Sequence, residues 1–221
     1  MDHEDDDPGT TWNADCRRRQ PEHMSPRMAW RAIQAALPKD AIISSDIGNN
    51  CAIGNAYPTF EEGRKYLAPG LFGPCGYGFP AIIGAKIACP DVPVVGFAGD
   101  GAFGISMNEM TAIGREEWPA ITMIIFRNYQ WGAEKRNSIL WYDNNFIGTE
   151  LDPHLSYARI AEACGLKGVV ARSRQELSAA LAAACAAQRD GVTTFIEVIL
   201  NQELGEPFRR DAMKKPVEVA G

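Results

Sequence analysis

The chain has 221 residues, 46% hydrophobic and 23% charged, with 22 Lys and Arg against 28 Asp and Glu. That length holds one large α/β domain or two small ones, and the composition excludes a disordered or fibrous chain. The formal net charge of −6 is unevenly spread: residues 1–24 hold seven acids and three bases, net −4, which leaves the body at −2. A near-neutral body gives no electrostatic reason to bind nucleic acid or an anionic membrane. No apolar run approaches the ~18 residues that span a bilayer. The acidic start lacks the basic and apolar regions of a secretory signal. Six scattered cysteines (Cys16, Cys51, Cys75, Cys89, Cys164, Cys185) include no C-x-x-C pair. They read as the reduced thiols of a cytoplasmic protein rather than a disulfide framework or zinc site.

In chain order, residues 1–24 are polar, carry Pro8, Gly9 and Pro21, and read as an acidic flexible arm or linker. Ser25-Pro26 opens a helix, an N-cap followed by proline at the first helical position. Met28, Ala29, Ala32, Ile33, Ala36 and Leu37 then recur at helical spacing up to Pro38. A strand is expected over Ala41–Ser45, closed by a turn at Asp46–Asn50. Further elements are expected as a helix over Tyr77–Ala88, a strand over Pro93–Ala98, a helix over Ser106–Arg115 and a strand over Ile121–Phe126. A helix near Ser156–Cys164, a strand at Gly168–Ala171, a helix opened by the capping-box tetrapeptide Ser173–Glu176 and a strand over Thr193–Ile199 complete the set. Continuous apolar strands alternating with helices predict a three-layer α/β/α sandwich with a mostly parallel, doubly wound sheet. The body is placed at residues 25–200, with a C-terminal tail at 201–221.

In such a sheet, ligands bind beyond the carboxyl ends of the strands. Gly99-Asp100-Gly101-Ala102-Phe103-Gly104 follows the second long strand. A tight strand-to-helix turn would explain these glycines with no ligand, and neither the dinucleotide nor the P-loop spacing is present. The next strand ends in Arg127-Asn128-Tyr129-Gln130. Adjacent parallel strands would bring Asp100 and Asn128 together. One carboxylate and one amide oxygen suit Mg²⁺, which keeps water and shares phosphate oxygens; zinc is disfavoured because neither loop holds His or Cys.

Here the sequence resembles the thiamine diphosphate (ThDP) enzymes, whose diphosphate-binding domain carries a motif from Gly-Asp-Gly to an Asn at the tip of the next strand. Twenty-five residues, 102–126, separate Gly101 from Arg127, within that family's range. The resemblance implies metal ligation by Asp100, Asn128 and the backbone carbonyl of Gln130. Arg127 departs from the family's paired Asn-Asn, at the position the metal does not need. Asp46–Asn50 resembles the first diphosphate-contacting turn, with Gly48, Asn49 and Asn50. Pro69–Pro80 resembles the loop under the aminopyrimidine. There the Gly73 carbonyl would accept from the 4′-amino group, and Cys75 would be the apolar wedge, smaller than the usual Met. With Gly99, Asp100, Gly101, Ala102, Asn128 and Gln130, these complete the cofactor residues.

The stretch from Met24 onward further resembles one branch of that family, the sulfoacetaldehyde acetyltransferases, in Asn128–Asn137 and Asn201–Asp211. That branch converts sulfoacetaldehyde and phosphate to acetyl phosphate and sulfite. Lys135, Arg136, Arg209 and Arg210 are candidates for the two anions by charge, though surface solvation explains such residues equally well. His154, in a loop just before a helix, reads as a loop residue rather than a proton-transfer group. Trp131, Trp141 and Tyr142 read as packing residues.

No catalytic residue is assigned. The family's activating Glu lies on a separate pyrimidine-binding domain, and neither Glu109 nor Glu134 matches its role. The chain is therefore expected to be incomplete alone, and to self-associate or pair with such a domain. Two alternatives stand beside it: the small subunit of a two-chain ThDP-dependent sulfo- or phosphono-2-oxoacid decarboxylase, and a non-catalytic binding or assembly module.

Overall fold

The computed structural model describes residues 22–60, 65–115 and 117–204. Six strands form one sheet: β1 (Ile42–Ser45), β2 (Tyr66–Leu67), β3 (Val94–Gly99), β4 (Thr122–Arg127), β5 (Lys167–Ala171) and β6 (Thr194–Ile199). Their order is β2-β1-β3-β4-β6-β5, and every pairing is parallel. All carboxyl ends therefore lie along one edge. The chain leaves β1 toward β2 and returns to place β3 on the other side of β1, so the winding reverses between β1 and β3. A crevice is expected at such a reversal.

Both faces of the sheet are covered. Val95, Phe97, Ile124, Phe126, Ile196 and Val198 pack under α1 (Pro26–Ala36) and a long helix near the C-terminus, α8 (Arg174–Ala187). Trp30 of α1 lies at 4.8 Å from Phe97 and 5.2 Å from Phe126, ring to ring. Ala98, Met123, Ile125 and Phe195 face the opposite way, against Phe79 and Ile82 of α3 (Gly78–Ala88), Phe103 of α4 (Asp100–Ser106) and Tyr157 and Ala161 of α7 (Tyr157–Ala163). The expected α/β/α layering is thus realised, because alternate residues of each long strand feed two separate apolar layers.

Ser25 caps α1 by accepting the Met28 amide at 3.2 Å, with Pro26 at the first helical position. At α8, Ser173 accepts the Glu176 amide, but the Glu176 carboxylate takes the amide of Arg172 at 2.7 Å rather than that of Ser173. At the amino ends of β3 and β4, the Gln188 carboxamide donates to the Val94 carbonyl (2.9 Å) and the Thr122 hydroxyl (2.8 Å) and accepts the Val94 amide (3.1 Å).

Four segments depart from the sequence reading, one of them the two-residue edge strand β2 (Tyr66–Leu67), for which no strand was expected. The helix expected over Ser106–Arg115 begins six residues earlier, at Asp100, and breaks at a 3-10 turn over Met107–Glu109 before α5 (Met110–Ile113). The glycines of this segment weaken local helix propensity, but Phe103 is fully buried and anchors the first turn. The turn at Asp46–Asn50 runs into α2 (Asn49–Gly54), and Gly132–Trp141 forms α6, for which no helix was expected.

Most of the expected acidic arm lies outside the described residues, but Met24 is 4% exposed and bridges to Leu200 in parallel. At the start of the expected tail, Asn201, Glu203 and Leu204 are buried, and Glu203 pairs with Arg27. No helix among the described residues is long and apolar enough to cross a membrane.

Candidate functional site

A cavity of about 230 Å³ opens at the carboxyl edge, where the winding reverses. The ends of β1, β3 and β4 each deliver a loop or helix start to it. Gly48, Asn49, Asn50, Gly73, Cys75, Gly99, Asp100, Gly101, Ala102, Asn128 and Gln130 all line it. Every residue singled out from the sequence as a cofactor or metal contact therefore meets in one place.

The register places Gly99 beside Phe126, so the residues that follow, Asp100 and Arg127, come level. The Asp100 carboxylate is almost wholly enclosed. Its Oδ2 accepts from Nη1 of Arg127 (3.1 Å) and from the amides of Asn128 (3.1 Å) and Tyr129 (2.7 Å). Its Oδ1 accepts the Gly101 amide at 3.0 Å. Burial pushes the Asp100 carboxyl up to about 6, against the pull of Arg127 and the amides.

Tyr129 adopts a left-handed conformation, φ 61°. A non-glycine residue there costs about 1–2 kcal/mol, and the turn lets Asn128 and Gln130 both line the cavity. Gln130 is bridged to Glu150 through Trp131 N–H to the Thr149 carbonyl and Leu151 N–H to the Tyr129 carbonyl. The Gln130 carbonyl takes no part in that bridge, while its side-chain amide donates to the Gln202 carbonyl at 3.1 Å. The Asn50 carboxamide oxygen is buried without a hydrogen-bond partner among the described residues. Asn49 sets its amide 3.4 Å from the Glu203 carbonyl.

These donors are oxygens: a carboxylate, an amide and a carbonyl that the bridge leaves uncommitted. Hard divalent cations such as Mg²⁺ select that set. The first turn of α6 also faces the cavity through Gly132, Ala133 and Glu134, and the positive end of a helix favours an anion. The residues present fit a metal–diphosphate group.

The loop 69–78 carries Gly73 and Cys75 to the cavity mouth, where Cys75 is exposed and Gly73 holds φ 60°. Desolvation first, then the charges of Asp46 and Glu134, raise the Cys75 thiol above its ordinary range. Cys51 and Cys185 are buried, and burial lifts them to about 12 and about 11, so neither is a ready nucleophile.

Sequence reasoning missed several participants. Arg127, a departure from the family pattern at the position the metal does not need, is fully buried and contacts Asp100 directly. An arginine closing the apolar run Met123–Phe126 was the available signal, because such a run is enclosed on both faces of a parallel sheet. Trp131, read as a packing residue, lines the cavity together with Ile47, Ala52, Glu134 and Arg136. Of the four candidate cations, Arg136 reaches the cavity, whereas Lys135 turns away to pair with Glu150 and lies 5.3 Å from the Phe146 ring. Arg209 and Arg210 lie outside the described residues. His154 is exposed, its amide donating to Asp152 Oδ1 at 2.8 Å. Glu109 does not line the cavity, and Tyr142 is exposed.

Residues 46–198 match the thiamine pyrophosphate enzyme, C-terminal TPP binding domain, family. Over all 221 residues the chain is 77% identical to a probable sulfoacetaldehyde acetyltransferase of Rhizobium meliloti (strain 1021), covering 37% of that protein. It is 76% identical over the same span to the sulfoacetaldehyde acetyltransferase of Roseovarius nubinhibens, again covering 37%. Among solved structures it is similar to a thiamine diphosphate-dependent 4-hydroxybenzoylformate decarboxylase of Rhodococcus jostii RHA1, with TM-score 0.73 and 25% identity, covering 81% of this chain and 33% of that one. The chain thus spans a little over a third of the length of the curated relatives it matches.

Proposed function

The chain belongs to the thiamine pyrophosphate enzymes through their C-terminal TPP-binding domain, and from that premise we propose that it forms the ThDP- and Mg²⁺-binding part of a sulfoacetaldehyde acetyltransferase. The observation that carries this reading is the convergence of eleven sequence-flagged residues on one cavity, with an all-oxygen donor set at its base. The level of identity to sulfoacetaldehyde acetyltransferases supports sulfoacetaldehyde as the substrate, and phosphate as the acetyl acceptor follows the family resemblance.

In this reading Asp100, Asn128 and the Gln130 carbonyl hold the metal, and the turn at Gly48–Asn50 and the start of α6 face the diphosphate. The Gly73 carbonyl would accept from the aminopyrimidine, and Cys75 would be the apolar wedge beside it. When bound, ThDP would supply a nucleophilic thiazolium carbon for the aldehyde and a ring that takes up the electron pair of the aldehyde C–H bond, the pair whose return expels sulfite. Tyr129, held left-handed, keeps two of the metal-binding positions facing one point. Arg136 is the candidate for receiving a sulfonate or phosphate oxygen.

A carboxylate that activates the aminopyrimidine is assigned to a pyrimidine-binding domain, supplied by another chain or another region. The exposed Leu71 and Phe72, on the loop that carries Gly73 and Cys75, support a partner surface at the cavity mouth. We place the protein in the cytoplasm, as an oligomer.

The test is calorimetry with ThDP and Mg²⁺, followed by assay of acetyl phosphate and sulfite. The 221-residue chain alone should bind the cofactor weakly and turn over no sulfoacetaldehyde. Addition of a pyrimidine-binding domain should restore turnover. Turnover by the chain alone, or no ThDP binding even with that domain, would refute the proposal.

A further inference from the structure

Arg127 has no exposed surface, and stripping a guanidinium of water costs several kcal/mol unless its donors are all met. Its partners come from separate parts of the chain. Nη1 donates to Asp100 Oδ2 at 3.1 Å. Nη2 donates to the carbonyls of Asp152 and Leu155, the latter at 3.1 Å. Nε makes no hydrogen bond among the described residues, but it lies within ion-pair distance, 3.6 Å, of Glu197 Oε1 on β6, which offsets its charge. The guanidinium carbon sits 4.3 Å from the Tyr129 ring centre and 5.4 Å from that of Tyr157. Glu197 uses its other oxygen for the Ser156 hydroxyl (2.6 Å) and the Ala158 amide (3.1 Å), at the start of α7. Tyr157 in turn donates its hydroxyl to the Asp100 carbonyl at 2.8 Å.

The two oxygens of Asp100 are unequally engaged. Three donors converge on Oδ2, and a carboxylate oxygen offers about two lone-pair sites. Oδ1 accepts one amide and keeps a lone pair. We infer that Arg127 is a positioning residue, which turns Oδ2 of Asp100 toward the protein, leaves Oδ1 for the metal, and ties that orientation through Glu197 to β6 and the start of α7. The inference rests on the cofactor reading above and predicts one-oxygen coordination by Asp100. Simple charge balance between two buried carboxylates is the competing role. A lysine would satisfy charge balance but lacks the planar fork that reaches both carboxylates and the two carbonyls.

The test is Mn²⁺ binding to the full chain in the presence of ThDP, read from the free-ion electron paramagnetic resonance signal, with circular dichroism and Tm recorded alongside. Arg127→Lys should fold and bind Mn²⁺ about tenfold to a hundredfold more weakly, the loss usual when a metal ligand's supporting partner is removed. The double variant Arg127→Met/Glu197→Gln removes both opposite charges together and should show the same loss. Mn²⁺ affinity equal to wild type, or tighter, in either folded variant overturns the inference, as does failure of both to fold. Asp100→Asn separates the two levels of the argument: it should lose Mn²⁺ binding, and retention there overturns the cofactor reading itself.

Discussion

Oδ2 of Asp46, the residue that follows β1, accepts the amide of Gly78, the first residue of α3, at 2.7 Å. Its Oδ1 accepts the amides of Ile47 (2.8 Å) and Gly76 (3.1 Å). One carboxylate thereby fastens the loop carrying Gly73 and Cys75 to the sheet edge. Burial raises the Asp46 pKa, and the three amides offset part of that shift. Asp46→Ala orphans those amides and should destabilise the chain by about 1–3 kcal/mol in urea unfolding. It should also weaken ThDP binding, because the loop loses its tether. Full retention of both stability and affinity would refute this role.

Gly78 has no room for a side chain. A Cβ there would stand 3.0 Å from the Asp46 amide nitrogen and 3.0 Å from the Phe97 carbonyl oxygen, both backbone atoms. Gly78→Ala should cost about 1–3 kcal/mol through that overpacking. Gly84, in the same helix, has nothing within 4 Å of its Cβ position. Gly84→Ala should gain about 0.5–1 kcal/mol from helix propensity alone. Thermal unfolding of the two variants side by side checks the contrast, and equal shifts would contradict it.

Gly101 is constrained from the cavity side, since a Cβ would meet the Trp131 ring at 2.8 Å. Gly101→Ala should displace Trp131, change its fluorescence and weaken ThDP binding. A paired Trp131→Phe change should recover part of the loss by yielding space. Unchanged emission and affinity in the single variant would show that the ring gives way at no cost.

Asp100 supplies a pH dependence with a definite sign. Its carboxyl is pushed up from 3.8 to about 6 by burial, so it takes up a proton as the pH falls through about 6. A protonated carboxyl is a poor metal ligand. Metal affinity should therefore fall about tenfold per pH unit below that point, if one proton is displaced per ion. Stability of the metal-free chain moves the other way: the folded state holds the proton more tightly, so this group favours folding increasingly as pH drops from about 6 toward 3.8. Mn²⁺ titrations between these pH values check the first trend. Asp100→Asn should bind poorly at every pH, without the slope.

The sheet was legible because each long strand is an apolar run bounded by turn residues, and boundaries moved by a residue or so. The helices that begin directly at strand ends were not. Asp100–Ser106 and Asn49–Gly54 are rich in glycine or asparagine, and local propensity reads them as turns; burial of Phe103 and of Asn49, Asn50 and Cys51 decides otherwise. That Asp100, Asn128 and Gln130 meet at one cavity was readable from strand-end positions together with family resemblance. The supporting contacts of Arg127 were not, because they join residues 100, 127, 152, 155 and 197, and no local pattern carries that information.

At the opposite edge of the sheet, Gln188 clasps Val94 and Thr122, so the two strands that lead into Asp100 and Asn128 are joined at their far ends as well as near the cavity. Such a doubly pinned pair moves as a rigid body. Its amides should exchange with solvent only when much of the sheet opens, whereas those of residues 69–76 should exchange through local fluctuation. Breathing of the cavity is then confined to the side formed by residues 69–76. The floor of the cavity, where β3 and β4 end, is then expected to hold its spacing while the mouth moves.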